Sequence, residues 1–286
     1  TLSRTLGLMD ITMIGIGAMI GAGIFVLIGI AAGYAGPSLP FAFLLNGIVT
    51  TFTALSYAEL GSSIPAAGGG FLWVKEGLGG TQGFLAGWMN WFAYIVACAL
   101  YGLGFGRLAT ELWIITGIPL PLSEHQLSLT FMLIVVGLFA YINSRGASEA
   151  GLIGSIVTIA KVVILSIFIG FGLYAMFNNP NWTDNFSAGM LPNGVGGVFV
   201  AMGMTFIAFE GYEIIAQSGE EVKNPKHNIP RAIFYSLGVV VIIYILIGFV
   251  VIGAVAPPPG SAVWQYLAQA KEVAIVRAAE QFIPMG

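Results

Sequence analysis

Residues 14–25 read IGIGAMIGAGIF, an apolar run in which Gly15, Gly17, Gly21 and Gly23 fall within nine residues. A glycine in a helix interior costs about 1 kcal/mol relative to alanine, so a helix through this run is weakened locally. The pattern predicts an apolar helix that unwinds near Gly21 and Gly23.

The composition around this run is that of a membrane protein. Of 286 residues, 57% are apolar and 8% are charged, whereas soluble domains carry about 25% charged residues. So few charges cannot cover a soluble surface, and helices that face lipid pair their backbone groups internally. We therefore expect an all-α membrane protein in a lipid bilayer.

The composition and the absence of certain motifs argue against several functions. With 10 basic and 13 acidic residues the chain has no nucleic-acid-binding surface. Cys98 is the single cysteine, and His125 and His227 lack partners at metal-ligand spacing, so no metal is expected. No Ser/His/Asp arrangement, phosphate-binding loop or dinucleotide motif is visible, so the chain is not expected to be an enzyme.

Seven stretches reach the roughly 20 apolar residues that a helix needs to cross a bilayer, all within one domain, residues 1–286. They are residues 11–34, 40–64, 83–113, 127–143, 151–177, 194–216 and 232–255. Residues 66–80 are too short and charged to span, so an interfacial helix or a re-entrant turn is expected there. Residues 262–282 have apolar positions at helical spacing between charges, which predicts an amphipathic surface helix.

The basic residues predict the orientation. The densest basic loop, EEVKNPKHNIPRA at residues 220–232, is cytoplasmic only if the N-terminus is cytoplasmic too. We expect a multi-pass protein of the cell membrane with its N-terminus inside.

The sixth span carries a second defect. Residues 206–215 read FIAFEGYEII, which places Glu210 and Glu213 around Gly211 at membrane depth, where a carboxylate costs at least about 2.5 kcal/mol. The first and sixth spans are five apart, and a repeat of five spans inserts in the opposite sense to its copy. Interrupted spans at corresponding places in two inverted halves point to a transporter site.

Main-chain groups explain why such breaks would bind an amino acid. The second half of a broken helix presents free amide N–H groups, which suit a carboxylate, and the end of the first half presents free carbonyls, which suit an ammonium group. The alternative is that the glycines only let helices pack closely.

Lys161 lies in the middle of the fifth span and needs an internal partner. Ser155, Thr158 and Lys161 follow at spacing three and form one polar stripe, which should face the protein interior. An ammonium in apolar surroundings can exchange its proton near neutral pH. Alternatively, Lys161 is a structural charge paired permanently with an acid.

Four stretches together resemble the amino acid/polyamine/organocation superfamily of permeases. They are IGAGIF at 20–25, PAAGGGF at 65–71, FIAFEGYE at 206–213 and EEVKNPKHNIPRAI at 220–233. The resemblance implies the LeuT-type fold, in which ten of twelve spans form two inverted five-helix repeats. This chain would hold the first repeat and two helices of the second, because it ends where the family begins its eighth span; a truncated chain or fragment is expected.

The resemblance also assigns residues to the substrate. Amides of Ala22, Gly23 and Ile24 would bind the carboxylate, and carbonyls at the two breaks would bind the amino group. The full set it implies is Met19, Ile20, Gly21, Ala22, Gly23, Ile24, Tyr94, Ile207, Phe209 and Glu210, with Phe209 and Tyr94 as aromatics that close over the substrate. Glu210 would favour cationic side chains or strengthen ammonium binding; otherwise it is a buried carboxyl that is protonated or bonded to a neighbouring helix.

In a proton-coupled branch of the superfamily, a lysine that resembles Lys161 takes the place of sodium, with its amine directed at a first-span carbonyl, here Gly17. The expected function is therefore a secondary active amino acid transporter, a proton symporter working by alternating access, with the proton as coupling ion and no other cofactor. An exchanger or a polyamine carrier on the same fold is an alternative. A seven-helix retinal photoreceptor is a more distant one, since its lysine belongs to the seventh helix and residues 232–255 have none. The oligomeric state is not predicted.

Overall fold

The computed structural model describes residues 4–119, 121–145, 147–187 and 189–284. Within these ranges the chain is helical, with one isolated β-bridge between Leu6 and Val222. The α-helices are α1 (Leu8–Met19), α2 (Ala22–Ala35), α3 (Leu39–Ser63), α4 (Gly70–Leu78), α5 (Gly80–Ile115), α6 (Glu124–Arg145), α7 (Ala147–Asn178), α8 (Asp184–Ser187), α9 (Gly194–Thr205), α10 (Glu213–Gln217), α11 (Pro225–Ala254), α12 (Val263–Ala270) and α13 (Ala274–Phe282). Short 3₁₀ turns occupy Gly36–Ser38, Phe206–Phe209 and Lys271–Val273.

Six helical stretches of the described chain are long and apolar enough to cross a membrane. They are Leu8–Ser63, Gly80–Ile115, Glu124–Ser144, Gly154–Asn178, Gly194–Gln217 and Pro225–Ala254. The chain is therefore an all-α, multi-pass membrane protein. The first stretch has 56 residues and contains the first predicted span and all but the last residue of the second.

Contacting pairs give the relative directions of α1, α3 and α11. They are Gly47 with Val241 and Gly61 with Ile229 between α3 and α11, and Gly15 with Ser236 and Met19 with Tyr244 between α1 and α11. Residue numbers rise along α3 as they fall along α11, so these two helices are antiparallel. The numbers rise together along α1 and α11, so these two helices are parallel. Hence α1 and α3 are antiparallel, and the chain turns back at Gly36–Ser38.

Helix α11 is the centre of the packing. It lies against α1, α3 and α7, and many of its apolar side chains are fully buried, among them Val240, Tyr244 and Ile247. Helices α5 and α6 pair with each other at the side and expose apolar residues such as Trp91 and Leu133. Apolar side chains on an outer surface are expected where lipid or other helices surround the protein.

The start of the last predicted span differs most from the prediction. Helix α11 begins at Pro225, seven residues before residue 232. Proline suits the first helical position because an amide N–H there has no partner within the helix, and because its φ angle is already helical. Pro230 then lies in the second turn, where its missing N–H removes one helical hydrogen bond.

The prediction of one continuous amphipathic helix over residues 262–282 is wrong. The structure has α12 and α13, separated by the turn Lys271–Val273 with Lys271 at φ 48°. Both helices pack on α2, where Gly29 lies against the Leu267 and Lys271 carbonyls and against Ala274. Because the segment follows the surface of α2, it bends there.

Candidate functional site

The first break lies between α1 and α2. Ile20 and Gly21 leave the helical conformation, with ψ 82° at Ile20 and φ −122°, ψ −159° at Gly21. The chain becomes helical again at Ala22, and the first-turn amides of Ala22, Gly23 and Ile24 have no acceptor within α2. They form the positive end of a 14-residue helix, which suits a carboxylate.

The second break lies between α9 and α10. After the 3₁₀ turn Phe206–Phe209, Glu210 is extended with φ −74° and ψ 144°, and Gly211 has φ 135°. A residue with a side chain rarely adopts such a φ, so glycine is required at 211. Helix α10 begins two residues later at Glu213.

The two broken spans run antiparallel with their breaks at the same level. Contacting pairs along them are Gly15 with Ile215, Met19 with Gly211, Gly23 with Ala208, and Tyr34 with Gly197. A Cβ atom at Gly23 would lie 2.6 Å from the Ala208 Cβ, and one at Gly211 would lie 2.7 Å from the Met19 nitrogen. Because glycine leaves space here, the two backbones approach each other directly at the breaks.

Tyr244 of α11 connects the two breaks. Its hydroxyl oxygen lies 2.8 Å from the Met19 carbonyl oxygen and 3.0 Å from the Ala208 carbonyl oxygen. Its ring is fully buried and packs edge-on against Phe209, with 5.1 Å between ring centroids. A hydroxyl has one proton, so the two carbonyls share a single donor.

Lys161 of α7 reaches the first break. Its Nζ donates to the Gly17 carbonyl at 3.0 Å and to the Ile20 carbonyl at 2.7 Å. Thr158, one turn earlier, is buried against Gly17, so close that a Cβ there would collide with its Oγ1. Ser155 is exposed instead, so the predicted stripe faces inward only from Thr158 onwards.

Within the described residues, no carboxylate lies within ion-pair distance of Lys161; the ion pairs found there join Arg277 to Glu111 and Glu280. The pairing of Lys161 with an acid is therefore not seen. Its bond acceptors are the main-chain carbonyls that α1 leaves free as it ends.

Glu213 holds the second break together. Its Oε2 accepts a hydrogen bond from the Gly211 N–H at 2.7 Å, and its Oε1 lies 3.4 Å from the Tyr94 hydroxyl. The Gln217 side chain donates to the same hydroxyl at 3.0 Å. Tyr94 therefore belongs to a polar network on α10.

The predicted substrate residues fall into two groups. Met19, Ile20, Gly23, Ile24 and Phe209 are buried, whereas Gly21, Ala22, Tyr94, Ile207 and Glu210 are partly or largely exposed. Phe209 packs in the core against Phe43 and Tyr244.

Sequence reasoning missed two tyrosines. Tyr244 is a hydroxyl within the apolar run VVVIIYILI, and this polar exception was the available signal. Tyr101 lies against Gly21, with its Cζ 3.0 Å from where a Cβ would stand. It follows Tyr94 by seven residues, two helical turns along the same face of α5.

The site combines free amide donors, main-chain carbonyls outside the helical pattern, one half-buried ammonium and two carboxylates, without a nucleophile paired to a base. In the described part of the chain, no three His, Cys, Asp or Glu side chains form a metal-binding group. Opposed helix breaks at membrane depth are typical of secondary transporters.

A model of the family described as amino acid permease matches residues 6–284 of this chain. The chain belongs to this amino acid permease family, whose members lie within the amino acid/polyamine/organocation superfamily. Members of this family are transporters and not enzymes, and the photoreceptor alternative is wrong.

Curated relatives agree with this assignment. The chain is 33% identical over 266 residues to the branched-chain amino acid permease BcaP of Bacillus subtilis (strain 168), covering 89% of this chain and 56% of that protein. It is 32% identical to the methylthioribose transporter of the same organism, covering 88% and 56%. It is 30% identical to the vacuolar cationic amino acid transporter 2 of Arabidopsis thaliana, covering 89% and 41%. The chain thus spans about half the length of the curated relatives it matches.

Proposed function

We propose that this chain carries the substrate and coupling sites of a proton-coupled amino acid symporter of the cell membrane, with its N-terminus in the cytoplasm. The position of Lys161 on the free carbonyls of the first break supports this proposal most directly. An ammonium at that point supplies the positive charge that a coupling cation would otherwise supply.

The substrate would bind between the two breaks. Its carboxylate would accept hydrogen bonds from the amides of Ala22, Gly23 and Ile24, which have no acceptor inside α2. Its ammonium group would donate to carbonyls of the breaks, at Met19 and Ile20 in the first and near Ile207 and Glu210 in the second. A carbonyl oxygen has two lone pairs, so the Ile20 carbonyl, which accepts from Lys161, has room for a further bond. The Met19 carbonyl already accepts from Tyr244 and from the Gly21 N–H, so Ile20 is the better acceptor of the two.

Coupling would follow from the protonation of Lys161. Hydrogen bonds from a charged donor are worth about 1.5–3 kcal/mol, more than those of a neutral amine. Protonation therefore holds Gly17 and Ile20 in the arrangement that binds substrate, and loss of the proton releases them. Proton and substrate then favour the same conformation, and each strengthens the binding of the other.

The test is uptake of radiolabelled amino acids by proteoliposomes that contain the complete gene product, under an imposed pH gradient. We expect uptake to rise when the outside is acidic, and Lys161→Met to abolish this dependence. Lys161→Arg keeps a permanent charge, so it should bind substrate and yet not respond to the gradient. Lys271→Met, which removes an exposed lysine outside the spans, is the matched control.

Unchanged gradient-driven uptake in Lys161→Met would refute the coupling role. Uptake that needs amino acid inside the liposomes and ignores the gradient would indicate an exchanger. Uptake of polyamines without amino acids would indicate a polyamine carrier.

A further inference from the structure

The two carboxylates beside Gly211 have different surroundings. Glu213 is bonded to the Gly211 N–H and to the Tyr94 network. Glu210 lies on the extended residue of the break and is exposed, and within the described chain its carboxylate has no hydrogen bond or ion pair. Glu213 therefore stabilises the break, and Glu210 is available to bind a ligand.

No basic side chain of the described residues compensates Glu210. Lys161 donates to carbonyls of the first break, and Arg277 pairs with Glu111 and Glu280 near the end of the chain. A carboxylate at membrane depth is costly unless a positive charge accompanies it. A positive group on a bound ligand would supply that charge.

Glu210 lies beside the first break. Residues on both sides of it contact that break, since Ala208 lies against Gly23 and Gly211 lies against Ala18 and Met19. The backbone of Glu210 is therefore close to the residues that end α1 and begin α2. A bound amino acid can contact both the α2 amides and Glu210.

We propose that Glu210 selects amino acids with a cationic side chain. This inference rests on the proposed function and specifies the substrate class of the same site. The side-chain ammonium or guanidinium group pairs with the Glu210 carboxylate while the α-carboxylate lies on the amides of Ala22, Gly23 and Ile24. The same negative charge repels amino acids with an acidic side chain.

The test compares L-lysine with L-norleucine, which has the same chain length and lacks the terminal ammonium group. Binding of each is measured by competition against a radiolabelled amino acid, with the complete gene product in lipid nanodiscs. We expect L-lysine to bind about ten- to a hundredfold more tightly, as one charge-assisted bond allows. Glu210→Gln should remove most of this preference, because it weakens the binding of L-lysine far more than that of L-norleucine. Glu59→Gln, which removes an exposed carboxylate on α3, should leave the preference intact.

Three results overturn the inference in different ways. Equal binding of the two amino acids by the native protein means that Glu210 selects no cation. An equal loss of both in Glu210→Gln means that Glu210 binds the α-ammonium group instead. Both results leave amino acid transport standing, whereas failure of every tested amino acid to bind or be taken up contradicts the proposed function itself.

Discussion

The hydroxyl oxygen of Tyr244 lies 2.8 Å from the carbonyl oxygen of Met19, where α1 ends. The same hydroxyl lies 3.0 Å from the Ala208 carbonyl, just before the second break. One fully buried side chain of the central helix therefore contacts both interrupted spans. Movement of either break relative to α11 would disturb this contact.

Tyr244→Phe tests the contribution of this hydroxyl. The ring packing against Phe209 is retained, but a buried carbonyl loses its donor, so we expect the free energy of unfolding to fall by about 1–3 kcal/mol. Chemical unfolding in mixed micelles measures the change. Tyr235→Phe, on an exposed face of the same helix, should change the value by less than about 0.5 kcal/mol. If both variants lower the free energy of unfolding by the same small amount, the Tyr244 hydroxyl does not stabilise the two breaks.

Gly211→Ala tests the geometry of the second break. Alanine is strained at φ 135°, which costs about 1–3 kcal/mol, and its Cβ would also contact Ala18 and Met19. Gly238→Ala in α11 is the matched control, because a Cβ there has no heavy atom within 4 Å. The control should stabilise the helix by up to about 1 kcal/mol. The thermal unfolding temperature should therefore fall for Gly211→Ala and rise for Gly238→Ala. A shift of both in the same direction would contradict the geometry described for the second break.

Gly17→Ala tests the approach of α7 to α1. The added methyl group meets the Thr158 hydroxyl, so α7 must move outward and the Lys161 ammonium moves away from the Gly17 carbonyl. We expect gradient-driven uptake to fall, and Thr158→Ala in the same protein to restore part of it. Thr158→Ala alone loses only the bond to the Gly154 carbonyl, worth about 0.5–1.5 kcal/mol. A double variant as impaired as Gly17→Ala would mean that crowding is not the cause.

The helix breaks could be predicted because their causes are local. Glycine weakens a helix wherever it stands, and two acids at membrane depth mark an unusual helix, so Gly21 and Gly211 were recognisable in the sequence. Lys161 was recognisable for the same reason, as a charge that needs an internal partner.

Other features depend on packing and were not predictable from one chain read in order. The contact of Tyr244 with both breaks depends on the register of α11 against α1 and α9, which no short pattern encodes. The bend at Lys271 arises because residues 263–282 follow the surface of α2. The different surroundings of Glu210 and Glu213 arise because only Glu213 reaches back to the Gly211 N–H.

A density map of the complete gene product with a bound amino acid tests the central claim most directly. We expect the substrate carboxylate within hydrogen-bond distance of the amide nitrogens of Ala22, Gly23 and Ile24, with both spans interrupted beside it. Two continuous helices, or an amino acid bound away from these amides, would contradict the claim.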